Sequence, residues 1–300
     1  MKFRVHDTFF IRKGWLAKGL RNVKKSPDVF VSRTENPMDV LGIGSNMVKA
    51  LRYWLQAVGL TQEPATGKRT QKFTELGNLI YEYDPYFEEK GTLWLLQYRL
   101  ASNCDLATAW YFFFNKFSMQ EFTRNNFVTA LKNFVEMQDN STEVATRSLE
   151  DDFNCIIGTY LPRNKMDDKK ISPENNIFCP LSELGLIEIL NKRQKIFRKN
   201  IPAITALSAW IFFAVIVDNA KGRREITLNE ILRTPKNIGR VFNLDSISML
   251  NALYEIEKLN LIKINRTAWL DVVSILQKIN FIDCVKNFYA SINSRGFVNE

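Results

Sequence analysis

The single histidine of the chain, His6, lies in the run Phe3-Arg4-Val5-His6-Asp7-Thr8-Phe9, beside a carboxylate and a hydroxyl. An imidazole next to an acid is a pairing used in general-base catalysis, phosphate binding and metal ligation. Neighbours along an extended chain point to opposite faces, so His6 and Asp7 need not converge. The competing expectation is structural: an imidazole that holds a backbone or core partner. Arg12, Lys13 and Lys18 follow closely, which favours phosphate among the functional choices. Acidic clusters stand at Asp84 with Glu88 and Glu89, and at Glu150-Asp151-Asp152. Phosphodiester hydrolysis usually needs two or three carboxylates converging on magnesium. His6 and Asp7 as catalytic groups with Asp151 and Asp152 as metal ligands therefore form one candidate centre, for Mg2+ or Mn2+. Asp and Glu also favour helix N-termini, so each acidic cluster has a plainer role open to it. No phosphate-binding P-loop or Gly-rich dinucleotide fingerprint occurs, and no nucleotide cofactor is expected. Hydrolase readings that need a second histidine or a nucleophile motif fail for want of either.

A second set of residues points to nucleic acid. Asn36-Pro37 signals a helix start, Leu41-Gly42-Ile43-Gly44 a turn, and Ser45 can cap a further helix that stops near Gly59. On that helix Met47, Val48, Leu51, Leu55 and Val58 share one face at helical spacing. Asn46, Lys49, Arg52, Tyr53 and Gln56 share the other. A short helix, a glycine turn and a helix with a basic, amide-bearing face is the requirement for a helix-turn-helix; an ordinary helical hairpin satisfies the same pattern. Thr61 to Lys72, with Pro64, Gly67 and Lys68-Arg69, has the composition of a β-wing or basic loop. Arg12, Lys18, Ser45, Asn46, Lys49, Arg52, Tyr53, Gln56, Lys68 and Arg69 are the candidate DNA-binding residues.

The elements that must position these groups read as mostly helical. A basic amphipathic stretch covers Lys13–Val23. Helices are expected at Phe73–Tyr81, Thr92–Ser102, Leu106–Phe117, Thr123–Gln138 and Ser148–Tyr160. The aromatic run Trp110 to Phe114 lacks interleaved cations and reads as core rather than a base-stacking platform. Composition shifts over residues 161–176, where prolines and paired charges mark a linker or exposed loop. Asn191–Lys199 (NKRQKIFRK) is densely basic, and a solvated helix face is its plainest reading. An apolar helix is expected from about Pro202 to Asn219, and Thr227 caps a short helix, Leu228–Arg233. Asp245 or Ser246 starts another that reaches Lys258. Leu259–Arg266 and Ala268–Ile275 then read as paired strands. Helix, short helix, longer helix and two-stranded wing is winged-helix order. The expected architecture is mainly α, with two winged-helix-like domains: 1–160 and 177–300, joined through 161–176.

Three hundred residues with 46% apolar and 24% charged side chains suit a globular protein with a large core. Lysine plus arginine outnumber acids 41 to 32, a formal charge of +9 that suits a polyanionic partner. Cys104, Cys155, Cys179 and Cys284 lie far apart without a CxxC pair, so they read as reduced, mostly buried thiols. No signal segment or membrane-length apolar run is evident, and a cytoplasmic protein is expected, away from membranes.

Several strings together resemble one known family. The leader Phe3–Gly19 is similar to F-x-G-H-E-T-F-x-x-R-x-x-W-L-x-K-G, with Val5 and Asp7 in place of glycine and glutamate. Leu41–Trp54 is similar to L-G-[IV]-G-x-N-M-V-x-[AS]-[IL]-R-Y-W. Thr74–Gly77, Asp84–Tyr86, Thr92–Leu96, Asp151–Phe153 and Cys179–Leu186 match further segments. The chain thus resembles the bacterial domain-of-unknown-function family typified by SspB. The resemblance implies a component of a DNA phosphorothioation system, in which sulfur replaces a non-bridging phosphate oxygen in defence against phage. It implies nicking of double-stranded DNA to open it for single-strand modification. It also implies a sulfur-transfer enzyme, a cysteine desulfurase and an ATPase as partners. A non-catalytic DNA-binding adaptor that positions the sulfur-transfer enzyme is the alternative.

Overall fold

The computed structural model describes residues 1–139, 143–161, 178–203, 209–266 and 271–296. The expected linker at 161–176 and the start of the apolar helix at 204–208 lie, apart from Leu161, outside the described residues. The protein is mainly helical with small antiparallel sheets.

The leader is a tight coil in which Arg4, Asp7 and Thr8 take left-handed backbone conformations, φ 56°, 49° and 68°. Helix α1 (Trp15–Lys25) buries Trp15, Leu16, Leu20 and Val23 and ends on Lys24 and Lys25, where cations suit the helix dipole. Asn36 caps α2 (Pro37–Leu41) by accepting from the Met38 N–H, and Gly42 closes it at φ 59°. Helix α3 (Ser45–Ala57) follows. Its cap is Gly44 rather than Ser45, which is already the first helical residue. The expected loop is a two-stranded hairpin, β1 (Thr61–Gln62) with β2 (Lys72–Phe73).

Helices α4 (Glu75–Tyr83), α5 (Lys90–Ser102), α6 (Thr108–Asn115), α7 (Arg124–Gln138) and α8 (Thr146–Tyr160) correspond to the five expected, with boundaries moved by up to two residues. Helix α5 buries residues on every side, including Leu93, Trp94, Leu95, Gln97 and Leu100, the mark of a helix inside the core. Phe112, Phe113 and Phe114 are core as expected.

Strand β3 (Glu121–Phe122) pairs with β5 (Ile196–Lys199), which pairs in turn with β4 (Ile187–Asn191). The basic run is therefore a β-hairpin turn and a strand, not a helix face. Its charge density concealed the alternation of buried Phe197, exposed Arg198 and buried Lys199. A 3-10 turn, Pro180–Leu184, precedes this hairpin. This sheet joins residues from both sides of the expected linker.

The C-terminal part runs α9 (Ala209–Ala220), β6 (Glu225–Thr227), α10 (Leu228–Arg233), α11 (Ile238–Val241) and α12 (Ser246–Lys258). Strands β7 (Ile262–Arg266) and β8 (Asp271–Ile275) and helix α13 (Phe281–Gly296) complete it. The Thr227–Glu230 capping box and the Asp245 cap fall where the sequence placed helix starts. The sheet order is β6-β8-β7, all antiparallel.

One apolar cluster runs through both halves. Gln97 on α5 ties three elements inside it: its amide donates to the Val241 carbonyl at 2.9 Å, and its oxygen accepts from the Tyr160 hydroxyl. Thr92 on α5 is likewise bonded to Tyr289 on α13 at 2.8 Å.

Candidate functional site

The leader coil folds back onto α8. His6 is 1% exposed, and its Nε2 lies 2.7 Å from Asp152 Oδ1. The Thr8 N–H points at His6 Nδ1 from 3.1 Å. With Nδ1 accepting, the ring proton sits on Nε2 and is donated to the carboxylate. Asp152, 2% exposed, also accepts from the Arg4 backbone N–H at 2.8 Å. The ring stacks on Trp54 at 5.8 Å and meets Trp110 edge-on at 5.6 Å. A buried imidazole held by a carboxylate, a backbone amide and two indoles is an anchor for the leader. It has no open edge at which to take a proton from a substrate.

Asp151, the next residue, projects differently. Its Oδ2 lies 2.9 Å from Arg4 Nε, and its side chain is partly exposed. Asp7 is half-buried in the left-handed turn. The expected quartet therefore divides: His6 and Asp152 pair in the interior, while the partly exposed Asp151 pairs with Arg4. No group of three or more His, Cys, Asp or Glu side chains that could hold a metal exists among the described residues. These side chains do not fit a protein-caged divalent ion.

The candidate DNA-binding residues also separate. Ser45, Asn46 and Lys49 at the start of α3 are exposed, as are Lys68 and Arg69 in the β1–β2 loop. Arg52 is a bidentate partner of Glu63, with nitrogen–oxygen distances of 2.6 and 2.8 Å. Gln56 joins the same carboxylate at 3.2 Å. Tyr53 is not on an outer face at all. It is buried, its hydroxyl donates to the Leu106 carbonyl, and burial beside Asp152 holds its pKa well above the ordinary value. Lys18 donates to the Leu41 carbonyl at 3.0 Å. Arg12 lies over the rings of Phe9 and Trp15. Lys68 pairs with Asp28 at 2.7 Å and holds that carboxyl below its usual pKa.

Beside Asp151 lies a cleft of about 610 Å³, lined by residues from four segments. The leader supplies Thr8 and Phe10, the start of α7 supplies Arg124 and Asn125, α8 supplies Asp151 and Asn154, and the β4–β5 turn supplies Gln194 and Lys195. Gly158 forms part of the wall, because a Cβ there would stand 2.8 Å from the Phe10 ring. Arg124, Asn125, Asn154 and Lys195 are exposed. Two cations and three side-chain amides around a cleft can meet phosphate oxygens and base edges respectively. Sequence reasoning missed this cluster. Arg124 follows the legible cap Thr123, and Lys195 sits in the noted basic run, but a separation of 71 positions has no periodic signature.

All four thiols are free. Burial pushes Cys179 and Cys284 up to about 12 each, and it also raises Cys155 and, with Asp105 nearby, Cys104. Protonated thiols are poor nucleophiles and poor sulfur acceptors.

Residues 3–289 match a family model described as Protein of unknown function (DUF4007). No curated protein matches the sequence. Among solved structures, a magnesium ion-bound SspB crystal structure is similar at a TM-score of 0.83 and 25% identity, over 98% of this chain and 89% of that one. A second SspB crystal structure is similar at a TM-score of 0.82, with the same identity and coverage. The likeness therefore extends from the leader to α13, rather than over one half.

Proposed function

The chain belongs to the DUF4007 family, and from that premise we propose that it is the DNA-handling component of a bacterial DNA phosphorothioation system, nicking duplex DNA so that one strand can be modified. The observation that carries this reading is the whole-length likeness to SspB. In this reading α2–α3 with β1–β2, and α10–α12 with β6–β8, are winged-helix-like modules. The exposed cations Lys49 and Arg69 on one side, and Arg124 and Lys195 around the cleft, meet backbone phosphates. The raised thiols support a division of labour. Sulfur would be carried by a cysteine desulfurase and a sulfur-transfer enzyme, with an ATPase completing the system, in the cytoplasm where the DNA is. No helix among the described residues is long and apolar enough to cross a membrane.

Of the expected quartet, Asp151 lines the cleft with Arg124 and Lys195, which supports it as the carboxylate that would act there. The magnesium in the SspB crystal structure belongs to that protein; among the described residues the side chains here do not form a caged site. The second reading is a non-catalytic adaptor that positions the sulfur-transfer enzyme on DNA.

Duplex affinity measured by fluorescence anisotropy across a salt series tests the DNA-handling role. Affinity should fall steeply with salt, and Arg124→Ala with Lys195→Ala should flatten the logarithmic slope by roughly 2, one unit per lost phosphate contact. A parent protein that binds duplex no better than a neutral protein would sink both readings.

A further inference from the structure

Lys199 ends β5 with its side chain pointing inward, only 9% exposed. Its ammonium donates to the Phe113 carbonyl at 2.6 Å and the Phe117 carbonyl at 2.5 Å, and lies over both rings. Those carbonyls, at and just beyond the end of α6, suit a cation. They satisfy its donors in part but do not neutralise its charge. Among the described residues no carboxylate pairs with it, although buried cations are ordinarily paired. The charged groups nearest in the surrounding elements make the imbalance larger. Lys199 lines a cavity of about 340 Å³ whose walls carry Arg233 of α10 and Arg240 of α11. Among the described residues the Arg240 side chain bonds only through its Nε, to the Arg233 carbonyl at 3.1 Å. The one acid there, Asp245, is occupied as the cap of α12 and accepts from the Ser248 N–H at 2.7 Å.

We propose that this cavity is an oxyanion site for a phosphate or sulfate group, with Lys199 at its floor and the guanidinium groups of Arg233 and Arg240 on its walls. Three cations from three elements around one half-open cavity create a field that an anion relieves. The volume accommodates a tetrahedral oxyanion with ordered water, or the terminal phosphate of a nucleotide. Burial, with Arg240 nearby, holds Lys199 down to about 7, so an arriving anion also draws a proton onto it. The site does not depend on the cleft beside Asp151 or on the nicking reaction.

The test is thermal unfolding of the full chain at slightly acid pH, with sodium phosphate or sodium sulfate set against sodium chloride at matched ionic strength. Saturating phosphate or sulfate should raise Tm by roughly 5 °C over chloride, the shift expected near a hundredfold excess over Kd. An Arg233→Gln, Arg240→Gln double variant should keep its fold and lose at least nine-tenths of that shift. Lys199→Met should lose it as well, without a lower Tm in chloride. If Lys199→Met fails to fold, the double variant still decides. A parallel arm compares a 5′-phosphorylated dinucleotide with its unphosphorylated form. Stabilisation by the phosphorylated form alone assigns the site to a nucleic-acid terminus, and stabilisation only by the inorganic ions assigns it to a free oxyanion. No excess shift in the parent, or a shift that survives in the double variant, overturns the proposal.

Discussion

His6 and Asp152 are 146 residues apart in sequence and 2.7 Å apart in the structure. The sequence marks His6 as singular but offers no reason to prefer Asp152 over Asp7 or Asp151 as its partner. Only the fold of the leader onto α8 makes that choice, and it turns a candidate catalytic residue and a candidate metal ligand into an interior anchor. His6→Ala would leave a buried carboxylate short of a donor and two indoles short of a stacking partner. It should cost roughly 3 kcal/mol, measured by urea unfolding; a cost below about 1 kcal/mol, typical of surface sites, would contradict the anchoring role. Lys199 supplies a second residue-scale prediction. Its folded pKa of about 7 lies below the ordinary 10.5. Between those values the unfolded chain binds more protons than the folded one, so this group's contribution makes stability rise with pH across that window. Arg233, Arg240 and Asp245 are the charged groups that share its cavity. Unfolding midpoints measured at neutral pH and two units higher should therefore diverge more in the parent than in Lys199→Met. Equal divergence in both would remove Lys199 as the cause.

At the scale of elements, the α2–turn–α3 order and the caps at Asn36, Thr227 and Asp245 were legible because capping chemistry is local. Side-chain faces were less so. The 3.6-residue pattern placed Tyr53 with Lys49 and Arg52. Yet from Ala50 onward α3 is packed on nearly every side, against α1, the leader and the hairpin. Glu63, seven residues beyond Gln56, claims Arg52 and Gln56 for a polar cluster under β1–β2. Cations committed in this way contribute little to a polyanion, so Arg52→Ala should disturb the hairpin more than it disturbs DNA affinity. Lys49→Ala with Arg69→Ala should flatten the salt dependence of duplex binding while Tm stays within a degree or two. An Arg52→Ala variant that loses affinity with an unchanged Tm would return that residue to the contact surface. The β4–β5 hairpin was hidden for a related reason. Five cations in nine residues mask the period-two alternation that identifies a strand.

At the scale of the whole molecule, periodicity anticipated a mostly helical protein, and composition a large core and an excess of cations. It did not show that α5 would be common to both halves, because a helix apolar on every face carries no directional signal. Nor did it announce α13, whose docking depends on Gly91. A Cβ at that position would stand 2.0 Å from the Phe288 ring. Gly91→Ala should therefore destabilise the protein by about 2 kcal/mol through overpacking, and adding Phe288→Leu should recover part of the loss. Additive effects in that double-mutant cycle would contradict a direct contact. The interleaving matters for function, since it makes the cleft beside Asp151 a property of the leader, α7, α8 and the β4–β5 turn together. We propose that this composite surface holds and nicks duplex DNA. The most direct measurement incubates the purified protein with supercoiled plasmid and magnesium or manganese, alongside Asp151→Asn and the Arg124→Ala, Lys195→Ala pair. Open-circular product is expected from the parent, with at least a tenfold slower appearance in both variants with their folds intact. Plasmid that stays supercoiled with the parent protein, although bound, would contradict nicking and leave the adaptor role in its place.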